Sequence, residues 1–280
     1  GKRGQADAIL QIFVIFFAMT VVVLLVSVVW SVIERGSAAL SWQFITQNNV
    51  YISGQTSLEY GGLGHAIIGT LLIVLLSTIV TVPLGIATAV YLTETTGKTR
   101  STVRTLIQAL SGLPSVVAGL FILSSLVYPV TKELSGLMGS LALTILMIPT
   151  IARTAEEMLR LIPNELREAG VALGGTQWRT VAGVVLPAAK SGLVTAIILG
   201  VARIIGETAP ILLVSGGGDS LNLNPTEGAM GSLPFYIWKA FLTSGTPESL
   251  ARAWAGMLVL LSFIFILFGM ARYISGRKVG

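Results

Sequence analysis

The sequence has no cysteine and one histidine among 280 residues, and only 11% of its residues are Asp, Glu, Lys or Arg. Without cysteine there is no disulfide framework, no thiolate nucleophile and no Cys-built metal site. The scarcity of charge excludes an ordinary water-soluble domain, in which about a quarter of the residues are charged. It does not indicate a disordered chain either, because disorder needs few apolar residues and much charge, and 53% of this chain is hydrophobic. The balance of 18 Lys/Arg against 13 Asp/Glu gives a net charge of +5. That excess would suit a nucleic-acid binder only if it gathered on one face. Here it is scattered, and no nucleic-acid partner is expected.

What the chain does have is long stretches free of charge. Residues 8–33, 65–92, 105–130, 134–152 and 253–271 contain no Asp, Glu, Lys or Arg, and 191–214 is interrupted only by Arg203 and Glu207. About 20 apolar residues cross the hydrocarbon core as a helix. The runs cover half of the chain and predict an all-α polytopic membrane protein with six transmembrane helices. The apolar region of the first run is too long for a secretory signal, and no small-residue cleavage site follows it.

Basic residues orient the spans. Lys2, Arg3, Lys98, Arg100, Arg104, Arg153, Arg160, Arg167, Arg179, Lys190, Arg272, Arg277 and Lys278 fall on one side, against Arg35, Lys132, Lys239 and Arg252 on the other. Both termini are therefore expected in the cytoplasm. Trp30, Trp42, Tyr51, Tyr91, Tyr128, Trp238 and Tyr273 lie near the expected interfaces, as a belt would.

Of the long connections, 34–64 and 215–252 are expected outside and 153–190 inside. In the last, Pro163 can open a helix whose Leu166, Ala169 and Leu173 share one face. Gly174-Gly175 supplies a left-handed stop, and Thr176 can cap a second helix bearing Trp178, Val181 and Val185. Pro187 then starts the next membrane helix. The expectation is a cytoplasmic helical pair with apolar stripes that need a partner.

Glu168-Ala169-Gly170, then Gly174, then Val184-x-Leu186-Pro187, resembles the EAA motif of type I ABC importer permeases. Gly170 replaces Ala, and Val184 replaces Ile. The resemblance implies that Glu168, Ala169, Gly170, Gly174, Leu186 and Pro187 belong to coupling helices docking on an ATPase subunit. There the two glycines would allow close approach and Glu168 would offer an ionic contact.

Arg203 and Glu207 stand at i and i+4, which on a continuous helix puts them on one face. An arginine near mid-bilayer costs at least about 2.5–3.5 kcal/mol unless paired or hydrated. One reading is a self-neutralising pair with a packing role; the other is a charged lining of an anion pathway, since a guanidinium suits phosphate or sulfate. The stretch Ala202-Arg203-Ile204-Ile205-Gly206-Glu207-Thr208-Ala209-Pro210 resembles the signature of PstA-type permeases of phosphate ABC importers. In the partner PstC type, the related Gly-Glu-Thr typically continues with Met-Ala. The outer stretch from Gly231-Ser232-Leu233-Pro234 to Phe241 is similar as well.

The resemblance implies a MetI-like permease fold, with residues 1–60 a first span and outer loop and 61–280 the permease core. It further implies import of inorganic phosphate by alternating access in a bacterial cytoplasmic (inner) membrane. The expected partners are a PstC-like permease, two ATP-binding subunits, an external phosphate-binding protein and the lipid bilayer. ATP and Mg would be held by the ATPase and not by this chain. The substrate pathway is expected at Arg203, Glu207 and Thr208, with Ser111 and Ser115 flanking a Gly-Leu-Pro break.

Other features carry less. Gly97-Lys98-Thr99 resembles the end of a nucleotide-binding loop, but Leu92 stands where the first glycine should be. His65 reads as an interfacial residue. Pro83, Pro114, Pro149 and Pro210 fall one in each of four spans and could kink them. The rival readings are a permease for sulfate or molybdate, a multi-span membrane enzyme, and a stand-alone secondary transporter. The enzyme lacks a membrane-edge cluster of His, Asp or Glu, and the secondary transporter would need no docking segment.

Overall fold

In a computed structural model the charge-free runs fold as helices, and the backbone is described for residues 2–243 and 245–276. Arg277 and Lys278 lie outside the described residues, as do the side chains of Lys2 and Arg3. The helices are α1 (Lys2–Ser37), α2 (Trp42–Thr46), α3 (Gly64–Glu94), α4 (Lys98–Ser111) and α5 (Ser115–Ile122), which continues as a wider π-helical stretch over Leu123–Thr131. Next come α6 (Gly136–Arg160), α7 (Asn164–Ala172), α8 (Gln177–Thr180), a π-helical turn over Val181–Val185, and α9 (Leu186–Ala188). The chain ends with α10 (Lys190–Ile204), α11 (Ala209–Val214), α12 (Leu233–Leu242) and α13 (Pro247–Gly276). No β-sheet occurs among the described residues; a single isolated bridge joins Gly216 to Met230.

Helices α1, α3, α6 and α13 are each long and apolar enough to cross a membrane unaided. The other two candidate spans are bent pairs, so the six expected spans comprise four continuous helices and two broken ones. Run 105–130 is broken at Gly112–Pro114, and its two halves meet at 102°. Pro114 disfavours helical backbone at Leu113, and Gly112 is a poor helix former, so the run ends and restarts there. The second pair bends by 73° between Gln177–Ala188 and Lys190–Ile204. Pro187 therefore sits in the short α9 ahead of that bend, and the membrane helix itself begins at Lys190.

Helix α6 lies at the centre. Gly85 of α3 and Gly200 of α10 close on Ile151 of α6 from two sides; a Cβ on either glycine would stand 2.7 Å from an Ile151 carbon. With no water to drive association within a bilayer, such close packing is the main attraction between helices. Ser77 of α3 adds a hydrogen bond, its hydroxyl donating to the Ser140 carbonyl of α6 at 2.9 Å. Around this contact Ile73, Leu143, Met147, Ile151, Ile204 and Met230 form a fully buried core.

Helix α1 leans on α13 and is otherwise an apolar surface suited to lipid. Its end is fixed where Gly36 meets the Trp254 carbonyl and the Arg35 guanidinium lies 4.9 Å over the Trp254 ring. At the same end of the bundle, Ser232 caps α12, and the Leu233 amide donates to Thr70 Oγ1 of α3 at 2.8 Å. His65 is not an interfacial side chain. It is buried against Gly231, with its ring 6.0 Å from that of Tyr236. The expected belt residues Trp30, Trp42, Tyr51, Tyr128, Trp238 and Tyr273 are exposed, and Tyr91 is half-buried.

Candidate transport pathway and coupling surface

Arg203 is the next-to-last residue of α10, and the helix does not carry Glu207 on with it. Pro210 lacks the N–H that would have bonded to the Gly206 carbonyl, so the chain turns over Ile205–Thr208 and restarts at Ala209 with the proline in its first turn. The shared helix face expected for Arg203 and Glu207 is thereby lost. Among the described residues no ion pair joins them. Arg203 Nη1 instead donates to Thr150 Oγ1 of α6 at 2.7 Å. Thr150 lies roughly 20 Å along α6 from Gly136 and about one turn before Arg153, so the guanidinium sits near the Arg153 end of the charge-free part of α6, on an exposed face of the bundle.

Gly119 of α5 brings the restarted helix to this region, since a Cβ there would stand 2.8 Å from Pro210 Cα. Ser115, one turn before Gly119, is thus carried to the side of the bundle where the 205–208 turn lies. Half-buried Glu207 and Thr208 occupy that turn. Ser111 stands on the far side of the Gly112–Pro114 break, with its hydroxyl donating to the Ile107 carbonyl at 2.8 Å.

The predicted helical pair is present, but Val181 and Val185, expected on the exposed stripe of its second helix, lie in the π-helical turn after it and are buried against the chain itself. Pro163 precedes α7, Gly174 takes φ +85° after it, and the Thr176 hydroxyl accepts the Arg179 amide to cap α8. Leu166, Val171, Leu173 and Trp178 are exposed, an apolar surface with nothing of this chain over it, and Glu168 and Ala169 are exposed beside them. The two glycines have roles within the chain itself. A Cβ on Gly170 would lie 2.4 Å from Thr180 Cγ2, so the approach it allows is between α7 and the chain's own α8. Gly174 meets nothing within 4 Å and is needed for its left-handed backbone. Leu186 is half-buried and Pro187 exposed in α9.

The pair is tied to the membrane bundle by a residue that sequence reasoning missed. Glu94, the last residue of α3, accepts Arg167 Nε of α7 at 3.1 Å, and its carbonyl accepts Gln177 Nε2 of α8 at 2.9 Å. Arg167 also donates to the Ile162 and Leu159 carbonyls at the end of α6. Within the bundle itself, Glu156 of α6 pairs with Arg104 of α4 and with Arg160 of its own helix. Thr150 was missed too. The only signal for it was a hydroxyl following Pro149 in an apolar helix, and for Glu94 a lone acid closing a long span.

Residues 81–279 match the family described as binding-protein-dependent transport system inner membrane component. The phosphate transport system permease protein PstA 1 of Mycobacterium tuberculosis is 38% identical over 94% of this chain and 88% of its own length. The corresponding proteins of Mycobacterium leprae and Yersinia pestis are 37% and 35% identical, over 94% and 91% of this chain. The chain belongs to the binding-protein-dependent transport system inner membrane component family. Membership makes it a multi-pass permease subunit of an ABC importer, a transport component that works with a substrate-binding protein and an ATPase.

The fold agrees. A permease chain of a bacterial alginate ABC transporter superposes with a TM-score of 0.66 at 16% identity, covering 99% of this chain and 97% of its own. A chain of the MetNI methionine ABC transporter gives 0.60 at 20% identity, covering 76% and 93%. At such identities the likeness concerns the fold alone.

Proposed function

We propose that this chain is the PstA-type permease subunit of an ATP-driven importer of inorganic phosphate, paired with a PstC-like permease, two ATP-binding subunits and an external phosphate-binding protein. The observation that carries the substrate is the 35–38% identity to phosphate permeases over more than nine-tenths of the chain. The sulfate and molybdate alternatives have no comparable support, and the enzyme and secondary-transporter readings do not fit a family built around a binding protein.

In this reading phosphate passes the exposed face bearing Arg203, where a fixed guanidinium offsets its charge. Glu207 and Thr208 lie on the adjoining turn and Ser115 beside it, so polar groups continue past the arginine. Ser111 belongs to the same broken stretch. ATP and Mg reside in the ATPase partner; in this chain Gly97 enters α4 directly after a helix, which is not the strand-to-helix geometry of a phosphate-cradling loop. The apolar face of α7 and α8, with Glu168 and Ala169 at its edge, docks on that partner. When the ATPase subunits close, the pair moves, and the Glu94–Arg167 and Glu94–Gln177 contacts carry the motion into α3. Both termini lie in the cytoplasm. Residues 1–60 form a lipid-facing first span with its outer loop, ahead of the permease core over 61–280.

Reconstitution with the partner subunits tests this. ATP hydrolysis is expected to rise with phosphate-loaded binding protein and not with a sulfate-loaded one. Equal stimulation by sulfate overturns the phosphate assignment.

A further inference from the structure

At the end of the bundle opposite the coupling helices, a second group of charged and polar side chains encloses a small pocket. Asn49, Ser53, Tyr236, Lys239, Ser249 and Arg252 line it. Arg252, in α13, is only 3% exposed. Its Nη2 donates to the Thr56, Ser57 and Tyr60 carbonyls at 2.7, 2.8 and 3.1 Å, which pins the guanidinium. Its Nε and Nη1 have no partner among the described residues of the chain, and neither do the buried Tyr236 hydroxyl and Asn49 Oδ1. No carboxylate comes within ion-pair distance of Arg252 among the described residues. Burial holds the Tyr236 pKa above its ordinary value, with the Arg252 charge opposing, so the hydroxyl stays a donor. Lys239 stands partly exposed beside the pocket, paired with Asp219.

A buried guanidinium without a counter-charge is costly, and unused buried donors add to that cost. An anion relieves both. The pocket holds about 130 Å³, the share of roughly four waters, which is room for a tetrahedral oxyanion. We propose that this pocket is an entry subsite for a tetrahedral oxyanion, held by Arg252, Tyr236 and Lys239 on the face opposite the coupling helices. That the oxyanion is inorganic phosphate rests on the function proposed above; the anion pocket itself rests on Arg252.

The test uses the assembled permease–ATPase complex in phospholipid-free detergent, without nucleotide or binding protein. Amide hydrogen exchange is followed over segments 49–60 and 236–252 with inorganic phosphate, with sulfate, or with phosphatidylglycerol added. Phosphate is expected to slow exchange there several-fold. Tyr236→Phe removes a hydroxyl that bonds to no other described group of the chain. It should leave assembly and melting temperature unchanged yet raise the half-protecting phosphate concentration about tenfold, the loss of one hydrogen bond to a charged group. Arg252→Gln should abolish the protection, and Arg252→Lys should retain part of it. If neither phosphate nor sulfate slows exchange, or Tyr236→Phe responds as the unmodified protein does, the subsite is overturned even if the complex imports phosphate. Protection by phosphatidylglycerol alone likewise overturns it. Protection by sulfate alone supports the subsite and overturns the phosphate reading.

Discussion

Arg203 owes its position to Thr150 and to the break that Pro210 imposes, and this changes what its substitution should do. A self-neutralising Arg203–Glu207 pair would be rescued by exchanging the two residues. With Glu207 off the helix, the exchanged protein should stay as inactive as the single variants. Arg203→Gln is expected to lower labelled-phosphate uptake in proteoliposomes at least about tenfold while the complex still assembles, since roughly 1.4 kcal/mol of lost charge stabilisation already gives that factor. Full uptake by this variant would reduce Arg203 to a packing role. Thr150→Val keeps the shape of the side chain and removes the acceptor, so the guanidinium stays charged but is no longer held. Uptake should fall several-fold, and the loss should disappear in the Arg203→Gln background because both changes act on one contact. The two charges were legible in the sequence as the only ones inside a span. Their separation was not, because i,i+4 spacing implies a shared face only on an unbroken helix. Pro210 reads as a candidate kink, but a kink alone does not tell that the chain leaves the helix from Ile205 to Thr208.

The α7–α8 pair is a rigid unit because Gly170 lets the two helices touch and Gly174 lets the chain reverse between them. Gly170→Val would place carbon where Thr180 Cγ2 already lies. It should cost about 1–3 kcal/mol of local stability, as overpacking does, and spread the helices. ATPase activity should survive but lose most of its stimulation by loaded binding protein. Gly174→Ala forces an L-residue to φ +85°, at about 1–2 kcal/mol, without any clash, and should produce a milder form of the same uncoupling. The Glu94 tie belongs to the same element. Glu94→Gln removes the ion pair to Arg167 but keeps the backbone carbonyl that holds Gln177, so partial uncoupling with a normal melting temperature is expected. The helical pair was legible in advance because its signals are local: a proline start, a glycine stop, a threonine cap. Glu94 was not, since it stands more than 70 residues from Arg167 and nothing periodic links them.

Across the whole molecule, the charge-free runs located the membrane bundle, because burying charge in lipid is costly wherever it occurs. The Gly-Leu-Pro break at 112–114 was legible as well, from its proline and glycine, whereas the size of the bends was not, because it is set by packing between distant helices. The distribution of basic residues also makes a claim about sidedness, to be assigned between the two polar ends of the fold. One end gathers Arg104, Glu156, Arg160, Arg167 and Glu94, and the other Lys239, Asp219 and Arg252. The absence of cysteine makes that claim directly measurable. Leu173 is 90% exposed in the turn after α7 and Leu223 is 65% exposed in the connection between α11 and α12, so a cysteine at either site adds a reactive thiol without disturbing the core. In membranes prepared without the ATPase subunit, a membrane-impermeant maleimide should label Leu223→Cys from outside intact spheroplasts and leave Leu173→Cys unlabelled. Inverted vesicles should show the reverse. Labelling of Leu173→Cys from outside would place the coupling surface away from the compartment that holds ATP. The orientation read from the lysines and arginines would then be wrong, and with it the mechanism in which ATPase closure is transmitted through Glu94.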